Sequence, residues 1–295
     1  MSDIYRLGFL GCGEAGQAMC HSLFQLHGQI SSGFDIADSC QGASTSAQQP
    51  NVLQRLSHRE QLATDCEVII SVVTADDAAV AAEQMMPYLS KQHIFVDANS
   101  VSPQTKQAIA LKINSTGALY IDMAIMAPIH PKGHQTPVLI AGSDRSRLIP
   151  VLDGLGFDYD WRSEKVGDAS MVKMLRSILI KGMESLICEC VTAAHEKGLD
   201  TEILSSAGKT LGIDNMPGLA DYVMERVARH GRRRAAELRE VAKTLEELGL
   251  SNYLPVAIAQ HQDMVADFNL AEKFQQAIPQ RRAVLAPAMR AAQKQ

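Results

Sequence analysis

The 295-residue sequence has few aromatic residues (5%), only six cysteines and no long uninterrupted apolar run. The cysteines are irregularly spaced and form no CxxC pair. We therefore expect reduced thiols, as in the cytoplasm, with no disulfide framework and no metal site. No stretch reaches the roughly 18–20 apolar residues of a membrane span, and no basic segment opens the chain, so we expect neither an anchor nor a signal peptide. A formal net charge of −5 gives no cationic surplus for nucleic acid.

The composition that remains is typical of a globular protein, with 46% hydrophobic and 21% charged residues. The first half alternates apolar, β-branched segments with helical segments, a pattern typical of parallel strands buried on both faces. We predict a doubly wound α/β sheet of the Rossmann type over residues 1–164. The predicted strands are 4–10, 29–35, 66–74, 93–100, 118–126 and 136–143, and the predicted helices are 14–27, 75–90, 103–115 and 144–153.

After residue 164 the sequence shows no convincing strand, which predicts an all-helical domain over residues 165–295. A long helix opens this domain at its junction with the first. The predicted helices are 167–198, 201–211, 217–230, 232–249, 254–266 and 270–292.

The segment GCGEAG follows a predicted strand and opens a predicted helix, the context in which G-x-G-x-x-G indicates dinucleotide binding. Its glycines permit a tight turn, close approach of a pyrophosphate and close packing of helix on strand. Asp35 ends the second predicted strand, where a carboxylate accepts hydrogen bonds from the ribose of NAD and repels the 2′-phosphate of NADP. NAD is therefore favoured. These predicted cofactor residues are Gly11, Cys12, Gly13, Glu14, Ala15, Gly16 and Asp35.

The carboxyl ends of two further strands are expected to complete the cofactor site, because ligands bind at that edge of an open α/β sheet. Val73 and Thr74 end one predicted strand, and Asn99 and Ser100 end the next. We predict that all four lie around the nicotinamide, with Ser100 in contact with the substrate. An alternative for Asn99 and Ser100, compatible with the first, is to cap the helix that begins at Pro103.

The long helix at the junction is apolar on nearly every side and is expected to be buried, yet it carries three cations. Arg176 and Lys181 are explained either by ordinary solvation and pairing, Lys181 with Glu184, or by binding an anionic part of a substrate. Lys173 has no acidic neighbour on its face of the helix. A desolvated amine has a lowered pKa and can take the hydroxyl proton when an alcohol is oxidised with NAD⁺. Lys173 is therefore the predicted general acid–base residue.

Three segments resemble motifs of the β-hydroxyacid dehydrogenase superfamily, which includes 6-phosphogluconate and 3-hydroxyisobutyrate dehydrogenases. GFLGCGEAGQAM resembles the glycine loop of that family, and DMAIMAP (122–128) resembles its substrate segment D-x-P-V-S-G-G. GDASMVKMLRS (167–177) resembles its catalytic helix G-x-G-x-x-x-K-x-x-N-N. The resemblance covers almost the whole chain. It implies that Lys173 is the catalytic lysine and that the protein is a homodimer.

The sequence departs from the family at two substrate positions. Residues 126–128 are Met-Ala-Pro where many members have Ser-Gly-Gly, and Ser177 replaces the asparagine one turn after the lysine. The second half is similar to a subgroup whose C-terminal helical domain has no assigned function, so the resemblance names no substrate. The predicted substrate contacts are Ser100, Met126, Ser177 and Lys181.

The leading hypothesis is a cytoplasmic NAD-dependent oxidoreductase that oxidises a small anionic hydroxy acid or sugar acid, or reduces the matching oxo acid. Two alternatives stay open. One is an imine or ketone reductase with a more apolar pocket, which the Met-Ala-Pro segment favours. The other is a catalytically weak NAD-binding sensor, which the lost asparagine favours.

Two basic segments stay ambiguous. Three arginines at 232–234 are predicted at a helix start, either as an anion site or as a solvated charge run in which Arg233 pairs with Glu237. His130 and Lys132 follow the substrate segment and are candidate substrate contacts. The proline and glycine between His130 and His134 exclude the helix that a zinc-binding H-x-x-x-H pair needs.

Overall fold

The computed structural model describes residues 6–36, 52–270 and 281–293. The chain divides into two compact units, Met1–Met174 and Leu175–Gln295. Each unit has its own hydrophobic core. The sequence analysis places the division at residue 164, before the long helix. In the structure the first turns of that helix belong to the unit that contains the sheet.

One eight-stranded sheet forms the centre of the first unit. Its strands are β1 (Leu7–Leu10), β2 (Ser31–Phe34), β3 (Leu53–Arg55), β4 (Val68–Ser71), β5 (Ile94–Asp97), β6 (Leu119–Ile125), β7 (Val138–Ala141) and β8 (Tyr159–Ser163). The strand order is β3-β2-β1-β4-β5-β6-β7-β8. Every neighbouring pair is parallel except β6 and β7. The order reverses at β1, which confirms the predicted doubly wound Rossmann-type sheet.

Helices cover both faces of this sheet, because alternate residues of each buried strand point to opposite sides. Phe9 and Ile70 lie in the core on one face, and Leu10 and Ile69 lie in the core on the other. The helices are α1 (Glu14–His27), α2 (Arg59–Asp65), α3 (Ala78–Met85), α4 (Pro103–Ser115) and α5 (Arg145–Leu155). Short 3₁₀ helices at Met86–Tyr88 and Gly133–Gln135 complete this half.

The sequence analysis misses the two edge strands, and each lacks the pattern of a buried strand. β3 is three residues long and only its first residue is buried. β8 alternates half-buried and exposed positions and carries charged side chains. Both lie at the ends of the sheet, where pairing on one side is enough and a continuous apolar run is not needed.

The helical half consists of α6 (Asp168–His195), which crosses from the first unit to the second, and of α7 (Asp200–Leu211), α8 (Met216–Glu247), α9 (Tyr253–Asp267) and α10 (Arg281–Gln293). The second unit is centred on buried residues from all five of these helices, among them Cys188, Leu204, Val227, Val265 and Leu285. Of the helix predicted at 270–292, residues 271–280 lie outside the described residues. None of the helices described has the length and apolarity to cross a membrane.

The prediction of two helices at 217–230 and 232–249 is wrong, because α8 is a single helix of 32 residues. Asn215 begins it with a side-chain oxygen that accepts from Gly218 N at 3.0 Å. Gly231, which suggests a break, lies inside the helix. A Cβ at Gly231 would lie 2.5 Å from the carbonyl oxygen of Gln262, so this glycine allows α8 to pack closely on α9. The arginines at 232–234 are therefore mid-helix residues.

Candidate functional site

The turn between β1 and α1 has the geometry of a dinucleotide-binding loop. Gly11 adopts a φ of +101°, which side-chain-bearing residues rarely adopt. A Cβ at Gly16 would lie 2.4 Å from the Gly11 carbonyl oxygen, so only glycine lets the helix approach the turn. A Cβ at Gly13 would have no described atom within 4 Å, which leaves open space beside the backbone. No described side chain caps α1, so its first-turn amides can bind a phosphate.

Asp35 lies beside this loop, at the carboxyl end of β2. Its Oδ2 accepts a hydrogen bond from Cys12 N at 2.7 Å. Glu14 and Ala15 form the first turn of α1. The open space at Gly13, the uncapped helix and the adjacent carboxylate together fit the pyrophosphate and ribose of a dinucleotide. The structure thus brings together the cofactor residues predicted at residues 11–16 and 35.

Asn99 ties the carboxyl ends of two central strands together. Its Oδ1 accepts from Val73 N at 2.7 Å, and its Nδ2 donates to Ser71 Oγ at 2.9 Å. The hydroxyl of Thr74 donates to Asp77 Oδ2 at 2.5 Å. The structure therefore places Val73, Thr74 and Asn99 at the predicted edge of the sheet. Their contact with a nicotinamide stays a prediction.

Lys173 and Ser100 meet directly, although the sequence separates them by 73 residues. Lys173 Nζ donates to Ser100 Oγ at 2.6 Å, and both residues are half-buried. The predicted alternative that Asn99 or Ser100 caps α4 is wrong, because Ser102 is the N-cap and its Oγ accepts from Thr105 N. The Ser100 hydroxyl is thus free of the capping role and binds the amine. Serine and lysine both lie in the first unit.

A buried ionic cluster near this pair escapes the sequence analysis. Lys106 Nζ lies 2.9 Å from Asp97 Oδ1 and 3.4 Å from Asp122 Oδ1, and all three side chains are 0% exposed. The two aspartates face each other because they pair in the register of β5 and β6. Tyr120 donates to Asp97 Oδ2 at 2.7 Å. Burial, together with Asp97 and Asp122, raises the pKa of Tyr120 well above its ordinary value, so its hydroxyl stays a donor.

Asp122 also holds the beginning of α6. Its Oδ2 accepts from Gly167 N, Ser170 N and Ser170 Oγ, each at 3.1 Å. A carboxylate at a helix N-terminus is favoured by the free amides and by the helix dipole. This contact attaches the first turns of α6, and with them Lys173, to the sheet.

The sequence does contain a signal for this cluster. Lys106 lies three residues before Ile109 and seven before Ile113, on the face of α4 that is buried. A cation on the apolar stripe of a helix needs a buried anion. Asp97 and Asp122 are acids within two otherwise apolar strands. The pairing itself depends on the register of β5 with β6, which no local pattern gives.

Met126, the predicted substrate residue that replaces serine, is half-buried. It packs against a small cluster of alanines, Ala124, Ala141 and Ala169. The chain therefore has an apolar side chain at the position where the related motif has a serine hydroxyl. Its contact with a substrate stays a prediction.

Lys181 is buried in the second unit and paired. Its Nζ donates to Glu237 Oε2 at 2.7 Å. Burial lowers the pKa of Lys181, and Glu237 opposes that shift. The predicted pairing with Glu184 is wrong, because Glu184 pairs with the buried Arg234. The pairing alternative for Lys181 is therefore realised with a partner from α8, and substrate binding by Lys181 stays a prediction.

We expect Lys181→Met to lower the free energy of unfolding by about 1–3 kcal/mol, because it removes the buried cation that binds Glu237. The exposed Lys209→Met on α7 is the matched control and should change it by less than about 0.5 kcal/mol. Urea unfolding measures both. A second change, Glu237→Gln, should recover part of the loss. If Lys181→Met costs no more than the control, the pair is not structural and the anion-binding role gains support.

The structure gives the following positions for the remaining predicted residues. Ser177 is half-buried and belongs to the second unit. Arg176 is exposed, as are His130 and Lys132. Among the arginines at 232–234, Arg232 pairs with Asp263 and Asp267 and Arg234 with Glu184. The predicted helix start at these arginines is wrong, because they lie in the middle of α8. The anion site predicted from a helix start therefore has no support.

Among the described residues, no group of three or more His, Cys, Asp or Glu side chains is arranged to hold a metal ion. The buried His134 instead joins two elements: its Nδ1 and its backbone N both contact the hydroxyl of Ser22 on α1. Burial lowers the pKa of His134.

The doubly wound sheet, the glycine loop and the acid beside it define a dinucleotide-binding domain, to which the chain adds a helical half. Comparison with protein families gives the same class. Residues 6–155 match the NAD binding domain of 6-phosphogluconate dehydrogenase, and residues 194–265 match a domain of unknown function, DUF1932. The chain belongs to the 6-phosphogluconate dehydrogenase-like family of NAD(P)-binding oxidoreductases, which confirms the resemblance drawn from the motifs.

Characterised and solved relatives agree with this assignment. A conserved hypothetical protein from Sinorhizobium meliloti 1021 is 28% identical, with a TM-score of 0.69 over 99% of this chain and 97% of that one. A conserved protein of unknown function, described as structurally similar to 3-hydroxyacid dehydrogenases, is 30% identical, with a TM-score of 0.65 over 89% and 97%. The NADH-dependent oxidoreductase ucdB of Aspergillus ustus is 27% identical over 46% of this chain and 52% of its own length.

More distant structures share the fold alone. Mycobacterium tuberculosis 3-hydroxyisobutyrate dehydrogenase is 15% identical with a TM-score of 0.69, over 97% of this chain and 98% of that one. The imine reductase BcSIRED from Bacillus cereus is 19% identical with a TM-score of 0.55, over 86% and 90%. Proteins of this fold therefore include both a hydroxy-acid dehydrogenase and an imine reductase.

Proposed function

We propose that this protein is an NAD-dependent oxidoreductase that interconverts a small anionic hydroxy acid and its oxo acid, with Lys173 as general acid–base. The observation that carries the proposal is the 2.6 Å hydrogen bond from Lys173 Nζ to Ser100 Oγ. Ser100 follows β5 at the carboxyl edge of the sheet, and the dinucleotide loop follows β1 at the same edge. Ligands bind at this edge of open α/β sheets, so the position of the amine supports a role for it in the reaction.

The chemistry assigned to these residues is a proton transfer. A bound nicotinamide supplies the hydride acceptor. In its neutral form the Lys173 amine takes the hydroxyl proton as the carbonyl forms, and in the reverse direction the ammonium returns it. The Ser100 hydroxyl orients the amine by accepting its hydrogen bond, and it can bind the substrate oxygen in the same place.

Asp35 supports NAD over NADP as the cofactor, and the curated oxidoreductase that this chain resembles is named NADH-dependent. We expect the Kd for NAD to be at least about tenfold lower than for NADP, since a 2′-phosphate would meet a carboxylate. Asp35→Asn keeps an oxygen that accepts from Cys12 N and removes the negative charge. The ratio of the Kd for NADP to the Kd for NAD should therefore fall about tenfold. Calorimetric titration measures both constants, with the exposed Asp160→Asn as control. Equal affinities in the wild type would contradict the assignment.

A second candidate, an imine or ketone reductase, is favoured by one observation. Met126 is an apolar residue that packs on alanines, at the position where a carboxylate-binding serine would be expected for a hydroxy acid. A catalytically weak NAD sensor remains the third candidate. The Lys173–Ser100 contact counts against it, because a sensor needs no oriented amine.

A homodimer belongs to the proposal as well. Leu175, Leu179 and Leu186 recur at helical spacing on α6, and each is at least 40% exposed. An apolar stripe of this kind is typical of a surface that another chain covers.

The deciding experiment is a turnover screen of the wild-type protein at 340 nm. NAD⁺ with a panel of hydroxy acids and sugar acids, and NADH with the matching oxo acids, test the leading proposal. NADH with ketones and imines tests the alternative. Hydroxy-acid turnover lost in Lys173→Met supports the proposal. Turnover of imines or ketones without turnover of hydroxy acids supports the imine or ketone reductase instead. If NAD binds and no panel member reacts, the sensor candidate gains support over both oxidoreductase candidates.

A further inference from the structure

Lys106 is a fully buried cation of the first unit whose burial the proposed chemistry does not explain. It projects from α4 into the sheet, and its side chain is 0% exposed. Its Nζ contacts the Asp97 carboxylate, the Asp97 carbonyl oxygen and the Asp122 carboxylate. An apolar side chain would fill this space without the cost of burying an ammonium group. The cation must therefore serve the two carboxylates.

Each carboxylate holds a different part of the candidate site. Asp97 Oδ1 accepts from Asn99 N at 2.9 Å, which sets the backbone that leads to Ser100. Asp122 Oδ2 binds Gly167 N and Ser170 at the start of α6, the helix that carries Lys173. The segment after Asp97 supplies the Ser100 hydroxyl of the 2.6 Å contact, and the start of α6 supplies the Lys173 amine.

Lys106 lies between the Asp97 and Asp122 carboxylates and contacts both. Two adjacent buried carboxylates repel each other, and an ammonium between them replaces that repulsion by attraction. The spacing of Asp97 and Asp122 therefore depends on Lys106. Because each carboxylate carries one half of the Lys173–Ser100 pair, the geometry of that pair depends on Lys106 too.

We propose that Lys106 is a positioning residue: by binding Asp97 and Asp122 together, it fixes the Ser100 hydroxyl against the Lys173 amine. The proposal rests on the proposed function for the meaning of that contact, but the contact can be tested without a substrate. Lys106 acts through the two aspartates and touches no reacting atom. All of these residues belong to the first unit, 1–174.

The test uses two variants and a matched control. Lys106→Met removes the cation. Lys106→Met/Asp122→Asn removes a cation and an anion together, so its net charge equals that of the wild type. This double variant takes the place of Lys106→Met if the single change prevents folding. Lys112→Met lies on the same helix, but its side chain is 53% exposed and pairs with Glu83 at the surface. Ser100→Ala removes the contact itself.

The first readout does not depend on turnover: it is the rate at which Lys173 is acetylated in the cofactor-free protein. The protein is exposed briefly to acetic anhydride, and mass spectrometry then measures the fraction of Lys173 that carries an acetyl group. Loss of the Ser100 contact changes the surroundings of the amine, so the labelling rate of Lys173 should change at least threefold in Ser100→Ala and in both Lys106 variants, in the same direction. Lys112→Met should match the wild type. Unchanged labelling in the charge-matched variant, with Ser100→Ala changed, overturns the proposal.

With a substrate from the turnover screen, a double-mutant cycle gives the second readout. Lys106→Met should lower kcat about 10- to 100-fold and leave the Kd for NAD within about threefold. In a Ser100→Ala background the same change should cost much less, because residues that act through one contact are not additive. Additive losses would show that Lys106 only stabilises the fold. If the wild type turns over nothing, the proposed function fails while the acetylation result still decides the role of Lys106.

Discussion

Lys173→Met is expected to lower kcat by about 10²–10⁴-fold, the range that a positioned general acid–base group contributes. Methionine matches the length and apolar stem of lysine and carries no titrating amine. The Kd for NAD should stay within about threefold of the wild-type value, because the contacts predicted to hold the dinucleotide come from the glycine loop and from Asp35. Single-turnover absorbance at 340 nm measures the first quantity and calorimetric titration the second.

Two further variants separate the proton-transfer role from the charge. Lys173→Arg keeps a cation but has a guanidinium that does not titrate near neutral pH, so it should be nearly as inactive as methionine. Lys165→Met removes an exposed lysine of the same unit and should leave kcat unchanged. If Lys173→Met keeps more than about a tenth of wild-type kcat, the proton is taken by another group. A loss of NAD affinity equal to the loss of kcat would instead indicate a binding role.

Ser100 and Lys173 show how much of this site the sequence predicts. Each stands out on its own, Ser100 as a polar residue at the end of an apolar strand and Lys173 as a cation on an apolar helix. Both signals are local, and the rule that ligands bind at the carboxyl edge of the sheet assigns both residues to one site. The direct contact between them is a finding of the structure.

Lys106 shows what the sequence does not give. Its position on the buried stripe of α4 is a local signal, but its meaning depends on Asp97 and Asp122, which face each other only through the register of two strands. The prediction for Lys181 fails in the same way, because Glu237 is distant in sequence and the acid at i+3, Glu184, is taken by Arg234. Local spacing identifies a cation that needs a partner and does not identify the partner.

Gly231 shows that local sequence is also insufficient to predict where a helix ends. A glycine in a helical pattern predicts a break, since glycine is unfavourable in a helix interior by about 1 kcal/mol. In α8 that cost is offset by close packing against the backbone of α9 at Gln262. The continuous buried strands β1, β4 and β5 are predicted correctly because burial on both faces leaves a run that needs no knowledge of neighbours.

The glycine loop carries the second large expected effect, and two of its glycines should respond differently. At Gly16 a Cβ would lie 2.4 Å from a backbone oxygen that cannot move aside without opening the turn. Gly16→Ala should therefore cost about 1–3 kcal/mol of folding free energy, as overpacking does, and also weaken NAD binding. Urea unfolding and calorimetric titration measure the two losses.

Gly13 provides the contrast that assigns the loop its ligand. Its φ is −73°, which alanine adopts freely, and a Cβ there meets no described atom within 4 Å. Gly13→Ala should therefore leave the free energy of unfolding within about 0.5 kcal/mol of the wild type. If the open space is where a pyrophosphate lies, the same methyl group should raise the Kd for NAD at least about tenfold, or roughly 1.4 kcal/mol. A stable Gly13→Ala that binds NAD as tightly as the wild type would show that the phosphate lies elsewhere. A substitution that raises the Kd for NAD and leaves the free energy of unfolding unchanged is expected at a glycine that makes room for the ligand. Gly13→Ala therefore distinguishes a cofactor-binding loop from a purely structural turn.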